Sequence, residues 1–176
     1  MSVLKCISPV DGSVFAERDI LEKDAAEAVV AKVRVAQPGW AARPLAERIE
    51  LVKAGINRLN EMKEEVVPEL AHMMGRPIRY GGEFGGVNER TAYMAEIAER
   101  ALSPIVIEES DKATRKIERV PHGVVFVIAP WNYPYMTAIN TIVPALIAGN
   151  TVIIKHSTQT LLVGERIARA FHEAGV

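Results

Sequence analysis

The residues from Gly123 to Ala129 spell Gly-Val-Val-Phe-Val-Ile-Ala, and a second apolar run, Thr-Val-Ile-Ile-Lys, follows at Thr151. An unbroken β-branched run without polar alternation predicts a strand buried on both faces. Between the runs, Tyr135 to Ala148 reads as a helix kinked at Pro144, which removes one backbone donor, and Gly149 marks its end. Leu162 to Ala174 reads as another helix. Strand, helix, strand, helix over 121–176 requires a parallel pair, since parallel neighbours need a crossover of roughly a dozen residues or more. The expected fold class is therefore α/β.

Upstream, 1–104 reads as mainly helical. After the turn formers of Ser8-Pro9-Val10-Asp11-Gly12, Glu22 to Gln37 carries Ala25, Ala26, Val29, Val30, Val33 and Ala36 at helical spacing, and Pro38-Gly39-Trp40 is expected to break it. A second helix is predicted from Leu45 to Met62 and a third from Glu65 to Met74, closed by Gly75 with Pro77 behind it. Arg79 to Gly86 holds four glycines, but its spacing is not that of a P-loop and no Gly-Lys-Ser/Thr follows. It reads as a flexible or close-packed loop before a helix over Asn88 to Ala101. Residues 105–120 read as two charged strands joined by an exposed turn, forming a sheet open to solvent on one face.

Composition narrows the function classes. With 21 basic and 22 acidic residues the formal net charge is −1, which supplies no basic face for nucleic acid or an anionic membrane. No apolar stretch approaches the roughly 20 residues of a membrane span, and the N-terminus has no signal-peptide pattern, so a cytoplasmic protein is expected. One cysteine, Cys6, excludes an internal disulfide and a Cys-rich metal site; it reads as a small apolar strand residue, and no metal site is expected.

In open α/β sheets, ligands sit beyond the carboxyl ends of the strands. Here those ends are Ile128-Ala129-Pro130-Trp131-Asn132 and Lys155-His156-Ser157. Lys155 has the reach for a phosphate or a ribose hydroxyl. Asn132 admits two readings: an amide donor held rigidly toward a developing oxyanion, or the cap of the following helix. Trp131 and Tyr133 fit either a core or a cofactor wall. No G-x-G-x-x-G follows either strand, so the standard dinucleotide fingerprint is absent.

The stretch from Pro121 to Ser157 resembles the aldehyde dehydrogenase superfamily. It has the Pro-x-Gly-Val-Val lead-in, the turn Pro130-Trp131-Asn132-Tyr133-Pro134, the Pro144-Ala145-Leu146-x-x-Gly149-Asn150 segment and a strand ending in Lys155. Weaker likeness runs upstream through Ile7 to Glu17, Trp40, Ala46-Glu47-Arg48 and Met74-Gly75-Arg76-Pro77. The resemblance implies a helical N-terminal segment, a β-hairpin oligomerisation segment over 105–120, and the first units of a Rossmann-like parallel sheet, incomplete relative to the family. It implies oxidation of a small-molecule aldehyde to an acid, or in some members to an acyl-coenzyme A. NAD or NADP accepts the hydride after a Cys thiolate attacks the carbonyl, and a Glu-activated water releases the thioester. Carried onto this sequence, Asn132 is the oxyanion donor, Ile128, Ala129, Pro130 and Trp131 line the cofactor, and Lys155 contacts the adenosine ribose.

The sequence also departs from that pattern. No cysteine follows Asn132 and no matching general-base Glu is present, so the chain alone is expected to be inactive; the alternative is a truncated, non-catalytic remnant or a cofactor-binding and oligomerisation module. Where the family commonly carries Glu after Lys-Pro-x, this chain has His156, Ser157 and Thr158. Without a carboxylate at Thr158 to repel a 2′-phosphate, tolerance of NADP is expected, and His156 is read as solvated or as a positive charge near that phosphate. Tyr133, Thr137 and Asn140 share one helical face, which the resemblance aims at the substrate tunnel; two polar residues there suggest an aldehyde with a polar substituent. The full-length parent is expected to be a homo-oligomer.

Overall fold

The two apolar runs pair in parallel. In the computed structural model, which describes residues 2–176, β5 (Val124–Ile128) lies beside β6 (Thr151–Lys155), with Val124 opposite Thr151 and Ile128 opposite Lys155. The crossover is α5 (Pro134–Ile147), and α6 (Val163–Glu173) follows β6. The expectation of burial on both faces fails. Val125, Val127, Val152 and Ile154 share the face that joins the core, while Phe126 and Ile128, on the other, are 59% and 70% exposed. A continuous apolar run marks a strand that suits two covering layers; on the second face the helix over Lys23–Ala41 reaches only the N-terminal part, where Thr151 Oγ–H donates to Val33 O at 3.3 Å, and Phe126 and Ile128 are left uncovered.

Two further two-stranded sheets complete the β-structure of the described residues, giving a mixed α/β fold with small sheets. β1 (Val3–Ile7) and β2 (Val14–Asp19) are antiparallel, joined through a turn in which Ser8 N–H donates to Ser13 O at 2.8 Å. β3 (Ile105–Glu109) and β4 (Thr114–Ile117) form a second antiparallel ribbon, with Arg115 opposite Glu108. This ribbon departs from the expectation of one solvated face: every residue in both strands is exposed, Ile105, Val106, Ile107 and Ile117 included.

The helices are α1 (Lys23–Ala41), α2 (Leu45–Glu61), α3 (Lys63–Met74) and α4 (Phe84–Leu102). Pro38-Gly39-Trp40 does not break α1; Pro38 sits inside it. Trp40 explains the extra turn, since it is buried and donates its Nε1–H to Leu146 O at 2.9 Å, tying the helix end to α5. Gly75 takes the left-handed conformation at φ 74° and stops α3, as its place before Pro77 predicts. Helix α4 starts earlier than its apolar spacing predicts, so Gly85 and Gly86 are helical rather than loop. A Cβ on Gly86 would lie 2.5 Å from Met136 Sδ, so the first turns of α4 and α5 abut where a side chain has no room.

The core lies among α2, α3, α5 and α6, with Ile56, Leu59, Leu70, Ile139, Ile142 and Ile167 almost fully buried. Charged seams close it: Arg166 pairs with Glu69 and Glu65, Arg169 with Glu65, and Arg18 holds both oxygens of Glu165.

Candidate functional site

The strand ends and the start of α5 form one corner of the molecule. Parallel pairing continues one residue past β5, where Ala129 N–H donates to Lys155 O at 3.0 Å. Ala129 is buried by this, whereas Ile128 and Trp131 stay exposed and Pro130 is half-buried. The core reading of Trp131 and Tyr133 is therefore overturned, since they are 52% and 50% exposed. Pro134 occupies the first position of α5, where its missing N–H costs nothing and its fixed φ favours the helix.

Asn132 does not cap that helix. The cap position is Tyr133, no side chain of the cap residue bonds the helix, and the exposed Asn132 amide makes no hydrogen bond among the described residues. The free N–H of Met136 is met instead from another part of the chain: Glu83 Oε2 accepts it at 2.7 Å. The other oxygen of Glu83 takes Arg76 Nη1 at 2.5 Å, and Arg76 Nη2 donates to Asn132 O at 2.6 Å. The same guanidinium stands over the Tyr133 ring, 5.1 Å from its centroid. Burial pushes the Glu83 carboxyl above the usual glutamate range, against the opposing pull of the Met136 N–H and Arg76. Arg76 and Glu83 were missed as site residues; Arg76 stands in the Met74-Gly75-Arg76-Pro77 likeness, and Glu83 is marked only by the Gly81-Gly82 pair before it.

A cleft of about 450 Å³ opens beside this corner, lined by Arg76, Tyr80, Glu83, Gly86, Tyr133 and Met136 among others. Tyr133 thus faces a cavity. Thr137 and Asn140 are exposed further along α5 and do not line it.

Across the corner lies a polar shelf. Lys155 is exposed and makes no ion pair among the described residues. Ser157 Oγ is engaged, accepting Gln159 N–H at 3.3 Å at the start of the 3-10 turn Thr158–Thr160, whereas Thr158 is exposed. The solvated or positively charged reading of His156 does not hold. Its ring packs on Gly164, where a Cβ would lie 2.3 Å from Nδ1, and burial lowers its pKa, so the imidazole is neutral near pH 7. Ile128, Trp131, Lys155 and Thr158 therefore present open apolar and polar surface beyond the carboxyl ends of two adjoining strands, where open α/β sheets take ligands.

Cys6 is sealed beneath the turn that carries Thr158. It is 1% exposed, its Sγ–H donates to Gln159 O at 3.3 Å, and burial raises its pKa. A buried, protonated thiol is no nucleophile.

The sequence profile described as the aldehyde dehydrogenase family matches residues 2–176. The N-succinylglutamate 5-semialdehyde dehydrogenase of Novosphingobium aromaticivorans is 36% identical over 154 residues, covering 85% of this chain and 32% of that protein. The crystal structure of an NAD-dependent benzaldehyde dehydrogenase from Corynebacterium glutamicum superposes with a TM-score of 0.90 at 31% identity, covering 99% of this chain and 39% of that one. An NADP-dependent glyceraldehyde-3-phosphate dehydrogenase from Bacillus halodurans, crystallised with NADP, gives 0.87 at 29% identity, with 99% and 38% covered. The chain spans about a third of the length of the curated relatives it matches.

Proposed function

Because this chain belongs to the aldehyde dehydrogenase family, we propose that it supplies the oxyanion donor and the cofactor shelf of an NAD(P)-dependent enzyme that oxidises an aldehyde to a carboxylic acid. The observation that carries the reading is the exposed, uncommitted amide of Asn132 in the turn after β5, with Lys155 exposed at the end of the neighbouring strand. When the carbonyl carbon becomes tetrahedral, its oxygen gains charge, and a donor already in place stabilises that charge without reorganising. Asn132 does this for a Cys thiohemiacetal. Cys6 is buried, so that thiol comes from outside these residues and the chain alone turns over no aldehyde.

Ile128, Pro130, Trp131 and the backbone of Ala129 hold the nicotinamide cofactor, with Lys155 on the adenosine ribose and Ser157 and Thr158 beside it. The bound cofactor supplies the hydride acceptor. Thr158 places no carboxylate against a 2′-phosphate, so NADP is accepted as well as NAD. Tyr133 lines the aldehyde approach, and the exposed Thr137 and Asn140 favour a polar substituent on the substrate. The doubly exposed β3–β4 ribbon is too small to be stable alone, and it pairs subunits of a cytoplasmic homo-oligomer.

Two measurements test this. Titrating this chain with NAD and with NADP should quench Trp131 fluorescence, with the quench lost in Trp131→Phe; no binding of either cofactor removes the shelf. In the enzyme that carries this segment, NAD(P)H formation should depend on aldehyde, and strict rejection of NADP would sink the role given to Thr158. A second reading, a non-catalytic cofactor-binding or oligomerisation module, is favoured by the buried Cys6 and the bare Phe126 and Ile128. It predicts cofactor binding with no aldehyde turnover in any assembly.

A further inference from the structure

We propose that Arg76 and Glu83 are positioning residues that hold the Asn132 turn in its oxyanion-binding geometry; this rests on the oxyanion role given to Asn132 above. Their side chains are 12% and 4% exposed, beside the exposed residues Trp131, Asn132 and Tyr133. An ion pair buried this deeply gains little over an apolar pair of the same shape, because desolvation offsets the attraction. What this pair has that an apolar pair lacks is direction.

Glu83 stands at the cap position of α4, yet its carboxylate makes no cap bond there. It reaches instead to the N–H of Met136, 53 residues along the chain, while its partner reaches the carbonyl of Asn132. The turn is thereby gripped on both sides of Tyr133, by its carbonyl at one end and its N–H at the other, with Arg76 above the ring between them. All three contacts leave the Asn132 side chain free. A carboxylate at the start of α5 is also favoured by the helix dipole. At Gly86 the first turn of α4 lies against the Met136 side chain, where an added Cβ would fall 2.5 Å from Sδ. A bridge needed only to join α4 to α5 has no reason to include the carbonyl of Asn132.

The test is made in the enzyme that carries this segment, with aldehyde oxidation as the readout. Glu83→Gln and Arg76→Lys should each lower kcat by about 10- to 100-fold, the scale of a misplaced catalytic group, while the cofactor KM holds. Arg76→Lys keeps its charge against Glu83 but reaches one partner only, so it carries the test where Glu83→Gln lowers Tm too far to assay. In an Asn132→Ala background the same substitutions should cost almost nothing more, since there is no amide left to position. Costs that add to that of Asn132→Ala would overturn the proposal, as would kcat values unchanged from wild type. On this chain alone, 15N relaxation should show the Asn132 amide loosening in Arg76→Lys and Glu83→Gln under conditions where each variant is folded; an Asn132 as rigid as in wild type overturns it. Should the wild-type enzyme oxidise no aldehyde, the functional reading falls, and the relaxation result still decides whether the pair holds the turn.

Discussion

The two ends of α5 are both anchored from distant parts of the chain, and to different purposes. At its C-terminal end every visitor is a donor to a carbonyl: Trp40 Nε1 to Leu146, Arg48 Nε to Ile147 and Gln37 Nε2 to Gly149, each at 2.9 Å. These satisfy groups a helix end leaves open, and no functional atom lies among them. At the N-terminal end Arg76 and Glu83 grip the backbone around Asn132 and leave its side chain free. One end is closed for stability. The other is closed around an opening.

Substitutions at the two ends should therefore separate stability from activity. The largest effect is expected for Trp40→Ala, which empties a buried ring site and frees the carbonyl of Leu146; a loss of about 3–5 kcal/mol is expected, read by denaturant unfolding of this chain. At the other end, Asn132→Ala should lower kcat of the enzyme by about 10²- to 10³-fold. Its unfolding free energy should stay within about 0.5 kcal/mol of wild type. A large stability loss in Asn132→Ala would erase the contrast.

Smaller effects refine it. Arg48→Met strands the carbonyls of Ile147, Ala41 and Arg43, all of which its guanidinium meets; a cost of about 2 kcal/mol is expected for hydrogen bonds made by a charged group. Tyr135→Phe acts in the opposite sense. Its hydroxyl is buried in the first turn of α5 with no partner among the described residues, and burial drives its pKa far up. Removing it should raise stability by about 1 kcal/mol, seen as a higher Tm. A stabilising change at the N-terminal end would mark that end as shaped for something other than stability.

The same contrast decides what the sequence could reveal. The parallel pair, its crossover helix and Gly75 as a helix stop were legible because each rests on neighbours in the chain: a β-branched run, a helical period, a glycine before a proline. Pro38 misled because the bond that carries α1 past it comes from Trp40 to a carbonyl 106 residues away. Local rules also left Asn132 divided between cap and oxyanion donor, and the capping reading failed for the same reason: Glu83, remote in sequence, already serves the helix. Phe126 and Ile128 misled differently. Their apolarity records what suits a covered strand, and composition carries no information on how far along the strand a covering layer reaches.

The subtlest distinction between the two ends is in pH. Burial holds Glu83 above its ordinary range, so around and above the usual glutamate pKa the folded chain binds more protons at this group than the unfolded chain does. The stability it contributes is then fully present below the unfolded pKa and is lost as pH rises through the folded one. The difference in unfolding free energy between wild type and Glu83→Gln should therefore grow in favour of wild type as pH is lowered from about 7 towards about 4.5. Arg48 is also shifted by burial, downward, yet stays charged throughout that interval. The corresponding difference for Arg48→Met should be flat. Glu65 and Glu165, held low by their arginine partners, and the neutral His156 lose stability as pH falls, but they do so in wild type and variants alike and cancel. Denaturant midpoints across the interval measure both differences. A Glu83 difference that shrank on acidification would mean that Arg76 and the Met136 N–H outweigh burial, and that the ionised pair itself holds the N-terminal end of α5.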